Sequence, residues 1–166
     1  EASSKGTVPV LVDGHNVVDE SRDVMMWALG RKDPEGWLDL PTDAAALIDE
    51  CDGPFKEALD HTKYAVRFPE LVEEEERAKA LGFLRTLDNR LRETSHLAGS
   101  RPTLADAAIF PFVRLFANTD RSWFDAQGLN ALHAWLDAFL ASPRFAQIMA
   151  KHPPWHDAQE PVIFPR

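Results

Sequence analysis

Residues Arg101–Phe112 read RPTLADAAIFPF, and this stretch decides the fold. Thr103 followed three positions later by Asp106 has the form of a capping box, with an aspartate where Glu or Gln is more usual. The hydroxyl takes the amide of Asp106, and the carboxylate reaches back to the amide of Thr103. From Thr103 to Phe116 the chain is apolar apart from Asp106 and Arg114, so the predicted helix is apolar on most sides and belongs at the centre of a bundle. Its first amides then have no water to turn to, and the cap is worth about 0.5 to 2 kcal/mol. Thr103 and Asp106 are read as structural capping residues, with no part in catalysis.

Helical patterns flank this centre. Downstream, Leu129, Leu132, Leu136, Phe139 and Leu140 mark an amphipathic helix, and Ser142-Pro143 opens a short one ending near Met149. Upstream, Leu81, Leu84, Leu87 and Leu91 give a core face to a long helix over 70–92, whose first turn carries Glu73 to Glu76 as a solvated, dipole-favourable start. Thr42 is the N-cap expected for a helix through Ile48 and Cys51. Pro54 is expected in the first turn of another helix running to about Phe68. Cys51, Tyr64, Trp27, Trp123 and Trp135 are read as packing residues. Beyond Lys151 the chain is proline-rich, and His152 and His156 of HPPWH are read as surface residues because no Cys or acid completes a metal set.

The beginning of the chain has a different character. Val8 to Val12 is a β-branched apolar strand, Asp13-Gly14-His15-Asn16 a turn, and Val17-Val18 a returning strand, together a β-hairpin. A lone hairpin is marginal in water, so it must pack on something. Ser21 is the expected N-cap of a helix with Val24, Met25, Trp27 and Ala28 on its apolar face, closing near Gly30. Asp19-Glu20-Ser21 reads either as a plain helix start or as an anion-holding helix entrance. Pro9 inside an apolar strand marks an edge, a bulge or a cis bond, and frequency alone favours trans. Lys32 to Pro41, with Pro34, Gly36 and Pro41, is a linker in which Trp37 and Leu38 tuck between layers.

Composition bounds the function. The chain has 166 residues, 45% of them apolar and 27% charged, with ten Phe and five Trp, which is the balance of a folded chain. A net charge of −9 without a Lys/Arg cluster argues against nucleic acid. One cysteine leaves no internal disulfide, and no apolar run approaches the roughly 18 residues of a membrane span, so a cytoplasmic protein is expected with no membrane partner.

The motifs taken together resemble a known family. GTVPVLVDG and VVDES, followed by LAG.RPTLADAAIFPFVR and then the WL..FL.S.RF..IM.K pattern, are similar to the cytosolic glutathione S-transferase superfamily, and to its bacterial members in particular. The resemblance covers the whole chain and implies an α+β fold. Residues 1–31 would be the remnant of a thioredoxin-like glutathione-binding domain, a half-domain of hairpin plus helix. Residues 32–41 would be the linker, and 42–166 an all-helical C-terminal domain.

It also implies a cis bond before Pro9, Val8 bonding the cysteinyl backbone of glutathione, and Glu20 with Ser21 holding the γ-glutamyl end. Lys5 lies where some members contact the glycyl carboxylate. The family's thiolate-stabilising Ser, Tyr or Cys falls in a strand-helix turn that would precede this sequence, so an N-terminally truncated member is expected and no catalytic residue is assigned. The implied partners are glutathione as substrate and a hydrophobic electrophile, in a homodimer without metal. The alternative is a non-catalytic scaffold or interaction protein.

Overall fold

The computed structural model describes residues 3–152, 154, 156, 159 and 160. The chain runs β1 (Leu11–Asp13), β2 (Asn16–Val18), α1 (Ser21–Arg31), α2 (Thr42–Glu50), α3 (Lys56–Lys63), α4 (Glu73–Glu93), α5 (Leu104–Ala117), α6 (Arg121–Asp125), α7 (Asn130–Leu140) and α8 (Pro143–Ile148). The two strands pair antiparallel, Leu11 with Val18 and Asp13 with Asn16. Gly14 carries the turn with a φ of 60°, which a side chain would resist. The ladder starts at Leu11 rather than Val8 because its partner strand ends at Val18, leaving Val8 to Val10 nothing to pair with.

Two expected N-caps move by one residue. Glu20, in extended backbone, precedes α1, and Pro41 precedes α2, so Ser21 and Thr42 are the first helical residues. Neither helix start has a side-chain cap. Pro54 does not open a new helix. It sits in a π-helical turn, Cys51–Phe55, that joins α2 directly to α3. Proline supplies no amide and crowds the preceding carbonyl, and the wider turn absorbs both effects without a break. The rod then stops at Tyr64, and a 3₁₀ turn, Ala65–Arg67, follows where more α-helix was expected.

The first turn of α4 corrects another expectation. Glu73 to Glu75 face outward at least in part, but Glu76 is only 3% exposed. Helix α3 packs on α4 and brings His61 Nδ1 to 2.9 Å from Glu76 Oε2, while Lys79 takes the other carboxylate oxygen. Further along, buried Asp88 accepts the amides of Ala131 (2.9 Å) and Leu132 (3.0 Å), so α4 caps the start of α7, which has no side-chain cap of its own. Helix α6, absent from the sequence reading, is nucleated by Asp120, whose carboxylate accepts the amide of Trp123 at 3.0 Å.

The centre is α5. Asp106 is fully buried, and its Oδ2 accepts the amide of Thr103 (2.9 Å) and the Thr103 hydroxyl (3.2 Å). Its Oδ1 accepts the amide of Leu97 and the indole N–H of Trp135, each at 3.0 Å. One carboxylate therefore ties the α4–α5 loop, the start of α5 and α7 together. The amide of Leu104 donates to the carbonyl of Trp37 (3.1 Å), and Arg101 donates to the carbonyls of Glu35 (2.9 Å) and Gly36 (2.7 Å) and to Asp39 (2.8 Å). The segment 33–39 is thereby strapped to the N-terminal end of α5.

Among the described residues, all buried apolar ones lie between Ala44 and Leu136, in one cluster built from α2 to α7 and their connections. Trp135 is in it; Trp123 is half-buried against it, and Trp27 is half-buried on α1 with its indole N–H toward Asp13. Of the stretch beyond Lys151, the described residues form no helix or strand, and His152 and His156 are exposed.

Candidate functional site

The sequence points to the end of the hairpin where the chain enters β1 and leaves β2. Val8 is 91% exposed, lies before the ladder and makes no backbone hydrogen bond among the described residues; the Val8–Pro9 peptide is cis. Two residues after Pro9 the chain enters β1 at Leu11, which pairs with Val18, and three residues after Val18 it starts α1 at Ser21. Register therefore brings the Val8-Pro9 segment and the α1 entrance to one end of the hairpin. Ser21 is exposed, and its side chain caps nothing.

The acids beside it are occupied. Lys5 pairs with Glu20 and with Asp19 Oδ1 (3.3 Å), and the Ser3 hydroxyl donates to Asp19 Oδ2 at 2.6 Å. The Ser3 hydrogen bond and then Lys5 hold the Asp19 carboxyl below its usual range, and the Glu20 and Asp19 hydrogen bonds raise Lys5. Lys5, which the resemblance sets toward a glycyl carboxylate, lies here against the acids at the helix entrance.

Behind Ser21, Arg22 and Met25 of α1 meet Ile48, Cys51 and Asp52 of the α2–π rod and Ala108 and Phe112 of α5 around a small cleft. Arg22 also pairs with Asp49. The Cys51 thiol is buried, and that burial pushes its pKa up to about 12, so it is a packing group and not a nucleophile. The cations of Lys63 and Arg67 lie over the Tyr64 ring, at 4.8 and 4.6 Å from its centroid. Thr103 and Asp106 belong to the buried centre and not to this end of the molecule. Among the described residues no group of three or more His, Cys, Asp or Glu could hold a metal, and no helix is long and apolar enough to cross a membrane.

A second concavity went unread in the sequence. A cavity of about 620 Å³ lies along another face of α5, lined by Ala107, Phe110, Pro111 and Arg114, by the end of α7 and α8, and by Trp37 of the strap. Its signals were present, in the tucked Trp37 and the Phe139/Phe145 spacing, but period alone does not say that three segments leave a gap.

With this geometry in place, the likeness to known proteins can be weighed. Residues 69–138 match the family described as glutathione S-transferase, C-terminal domain. Glutathione S-transferase F9 of Arabidopsis thaliana is 28% identical over 168 residues, covering 89% of this chain and 75% of that protein. Among solved structures, glutathione S-transferase III in apo form is similar with a TM-score of 0.70 at 22% identity, over 92% of this chain and 78% of that one. Glutathione S-transferase I bound with the ligand lactoylglutathione is similar with a TM-score of 0.68 at 25% identity, over 87% and 74%.

Residues 69–138 thus match the C-terminal domain family of glutathione S-transferases, and the chain over most of its length is similar to members of that superfamily. Its fold is of that kind, a thioredoxin-like half represented by hairpin and helix, followed by an all-helical portion.

Proposed function

We propose that the chain binds glutathione at the open end of its hairpin and presents the thiol to a hydrophobic electrophile. The observation that carries this is the conjunction, at one end of β1–β2, of an extended segment with no ladder partner at Val8 and an uncapped helix entrance at Ser21. A backbone without a partner accepts an extended peptide as an added antiparallel strand, which suits the cysteinyl unit at Val8 beside Pro9. The Ser21 hydroxyl and the first amides of α1 suit the γ-glutamyl carboxylate. Glu20 suits its ammonium, in exchange for the Lys5 ammonium that now pairs with it.

In a transfer step the thiolate sulfur forms a bond to the electrophilic carbon and the leaving group departs with the bonding pair, while the thiol proton goes to solvent or a base. A free thiol has a pKa near 8.5, so the rate depends on how far the protein lowers that value. The reading takes residues 1–31 as part of a thioredoxin-like domain, 32–41 as linker and 42–166 as the helical domain, in a cytoplasmic homodimer.

Calorimetric titration of the chain with glutathione tests it. Binding that Ser21→Ala weakens severalfold, with the thermal unfolding midpoint unchanged, supports the cradle; absence of binding rejects it. A second reading, a non-catalytic scaffold, is favoured by three observations: Cys51 is buried with a raised pKa, the Tyr64 ring lies under the cations of Lys63 and Arg67, and Ser3 is committed to Asp19. Conjugation of glutathione to an aromatic halide by this chain would eliminate the scaffold.

A further inference from the structure

Residues 3–31 are tied to one another better than to the rest of the chain. The Ser3 hydroxyl donates to Asp19 and Lys5 pairs with Asp19 and Glu20, so the start of the chain is fastened across the entrance of α1. At the far end of the same unit, Asp13 of β1 pairs with Arg31 and accepts the indole N–H of Trp27 at 3.4 Å, while the Arg31 guanidinium lies 3.9 Å from the Trp27 centroid. Hairpin and helix are thus joined at both ends. Toward the helical assembly, among the described residues, the unit makes no backbone hydrogen bond, and its side-chain tie is the exposed pair of Arg22 and Asp49. Met25 and Leu29 supply the apolar contact, and neither is fully buried.

Beyond Lys32, whose amide still donates to Ala28 of α1 at 3.2 Å, the chain changes sides. Asp33 folds the strap 33–39 on itself by accepting the amides of Trp37 (2.7 Å) and Leu38 (2.9 Å). Arg144 of α8 pairs with Glu35 at 2.6 Å, and the Arg101 guanidinium and Leu104 amide hold the strap's carbonyls. Pro34 fixes one φ in the strap and confines Asp33 before it, so the free dihedrals lie at Lys32. Under α1 the fit is tight: Arg22 and Met25 close over Ile48 and Cys51 of the α2–π rod and over Ala108 and Phe112 of α5. The gap left is about 10 Å³, room for one water at most, and Cys51 is 1% exposed.

We propose that residues 3–31 are a flap that opens as one body about Lys32, leaving the strap on the helical assembly and uncovering the groove between the α2–π rod and α5. Opening breaks one exposed ion pair and the packing of Met25 and Leu29, whereas any opening within α2 to α7 breaches the buried core. The flap therefore moves at lower cost than the body beneath it. Closed, it keeps Ile48, Ala108 and Phe112 from water; open, it presents them as an apolar trough. Val8 and Ser21 ride on the flap together, so the proposal does not depend on the glutathione reading.

Cys51 is the chain's one cysteine, so its thiol reports the cover above it. The test labels the whole folded chain with iodoacetamide without denaturant, follows the product by mass spectrometry and scales the rate to that of the urea-unfolded chain. The resulting opening constant is expected to exceed the global unfolding constant from urea titration by roughly 100-fold or more. Met25→Ala should raise labelling by roughly fivefold and Arg22→Gln by roughly twofold. Ile109→Val, which loosens the core, should lower the urea midpoint and leave labelling within about twofold. Hydrogen exchange locates the hinge: the Leu104 amide, whose acceptor is the Trp37 carbonyl, should be at least roughly tenfold better protected than the α1 amides from Met25 onward. Labelling no faster than global unfolding allows, or faster in Ile109→Val but not in Met25→Ala, overturns the flap. Leu104 exchanging together with α1 carries the hinge past the strap and overturns the proposal equally.

Discussion

The hairpin with α1 and the assembly from α2 to α7 are held by different physics. Helix α1 has no fully buried residue, and Val8, Val12 and Val17 of the hairpin region stand exposed. Among the described residues, the helices from Thr42 onward and their connections hold the buried core, down to Leu84, Leu87, Ile109 and Leu132 at 0% exposure. The N-terminal part touches that core only through partly buried residues such as Met25, Leu29, Leu38 and Leu40. Among the described residues the side-chain salt bridge from α1 to that assembly is the exposed pair of Arg22 and Asp49, while Lys5 with Asp19 and Glu20 ties the N-terminal part only to itself, and such exposed pairs contribute little in water. The part carrying the candidate site therefore opens more readily than the part that supports it, as ligand-binding segments commonly do.

The largest expected effect breaks the stable side of that contrast. Asp106→Ala leaves the Thr103 and Leu97 amides and the Trp135 indole without their acceptor, and should cost about 3 to 5 kcal/mol in urea unfolding. A cost below about 1 kcal/mol would show that α5 is not the keystone. Next, Leu84→Ala should cost about 2 to 5 kcal/mol through the cavity it leaves, whereas Met25→Ala on α1 should cost under about 1 kcal/mol. Equal costs would mean that the two regions share one core after all.

Acid sharpens the comparison. The Lys79 and then the His61 hydrogen bonds hold the Glu76 carboxyl below its ordinary value of 4.5. A carboxyl lowered by folding adds stability above its unfolded value, and that stability is lost as pH falls through the lower, folded one. The unfolding midpoint of Glu76→Gln should thus fall less steeply than the parent's from neutral pH to about pH 3; parallel curves would contradict this.

The smallest effect is on the open side. Lys5→Ala frees Glu20 and Asp19, and should leave stability unchanged while raising glutathione affinity by a few-fold. A loss of affinity would show that the lysine assists the ligand instead of competing with it.

Reading residues in order recovered the helical assembly because its signals are local and strong. The Thr103/Asp106 spacing, the leucine period of α4 and the apolar run of α5 each act within a few residues. The same reading put the N-caps one residue late at Ser21 and Thr42, since a good capping side chain does not dictate where extended backbone ends. It read Pro54 as a start because proline's cost in a helix is usually fatal, and a π turn is not visible in composition. It took Glu73 to Glu76 as one solvated run, and only the arrival of His61 from α3 singles out Glu76. Of the proposed cradle, the sequence supplied the Val8-Pro9 and Glu20-Ser21 pairs, but not the lysine lying across the acids.

The amino-acid sequence by itself determined the main helices α4, α5 and α7, that α5 is the apolar centre with its cap, and the likeness to glutathione S-transferases. Those properties follow from side-chain period and from interactions three or four residues apart. Tertiary structure alone decided what Asp106 and Asp88 hold, where Glu76 is buried, and that Trp37, α7 and α8 enclose a cavity with Arg114 on its wall. Each of these depends on groups brought together from distant parts of the chain, and pattern along one segment carries no record of what packs across from it.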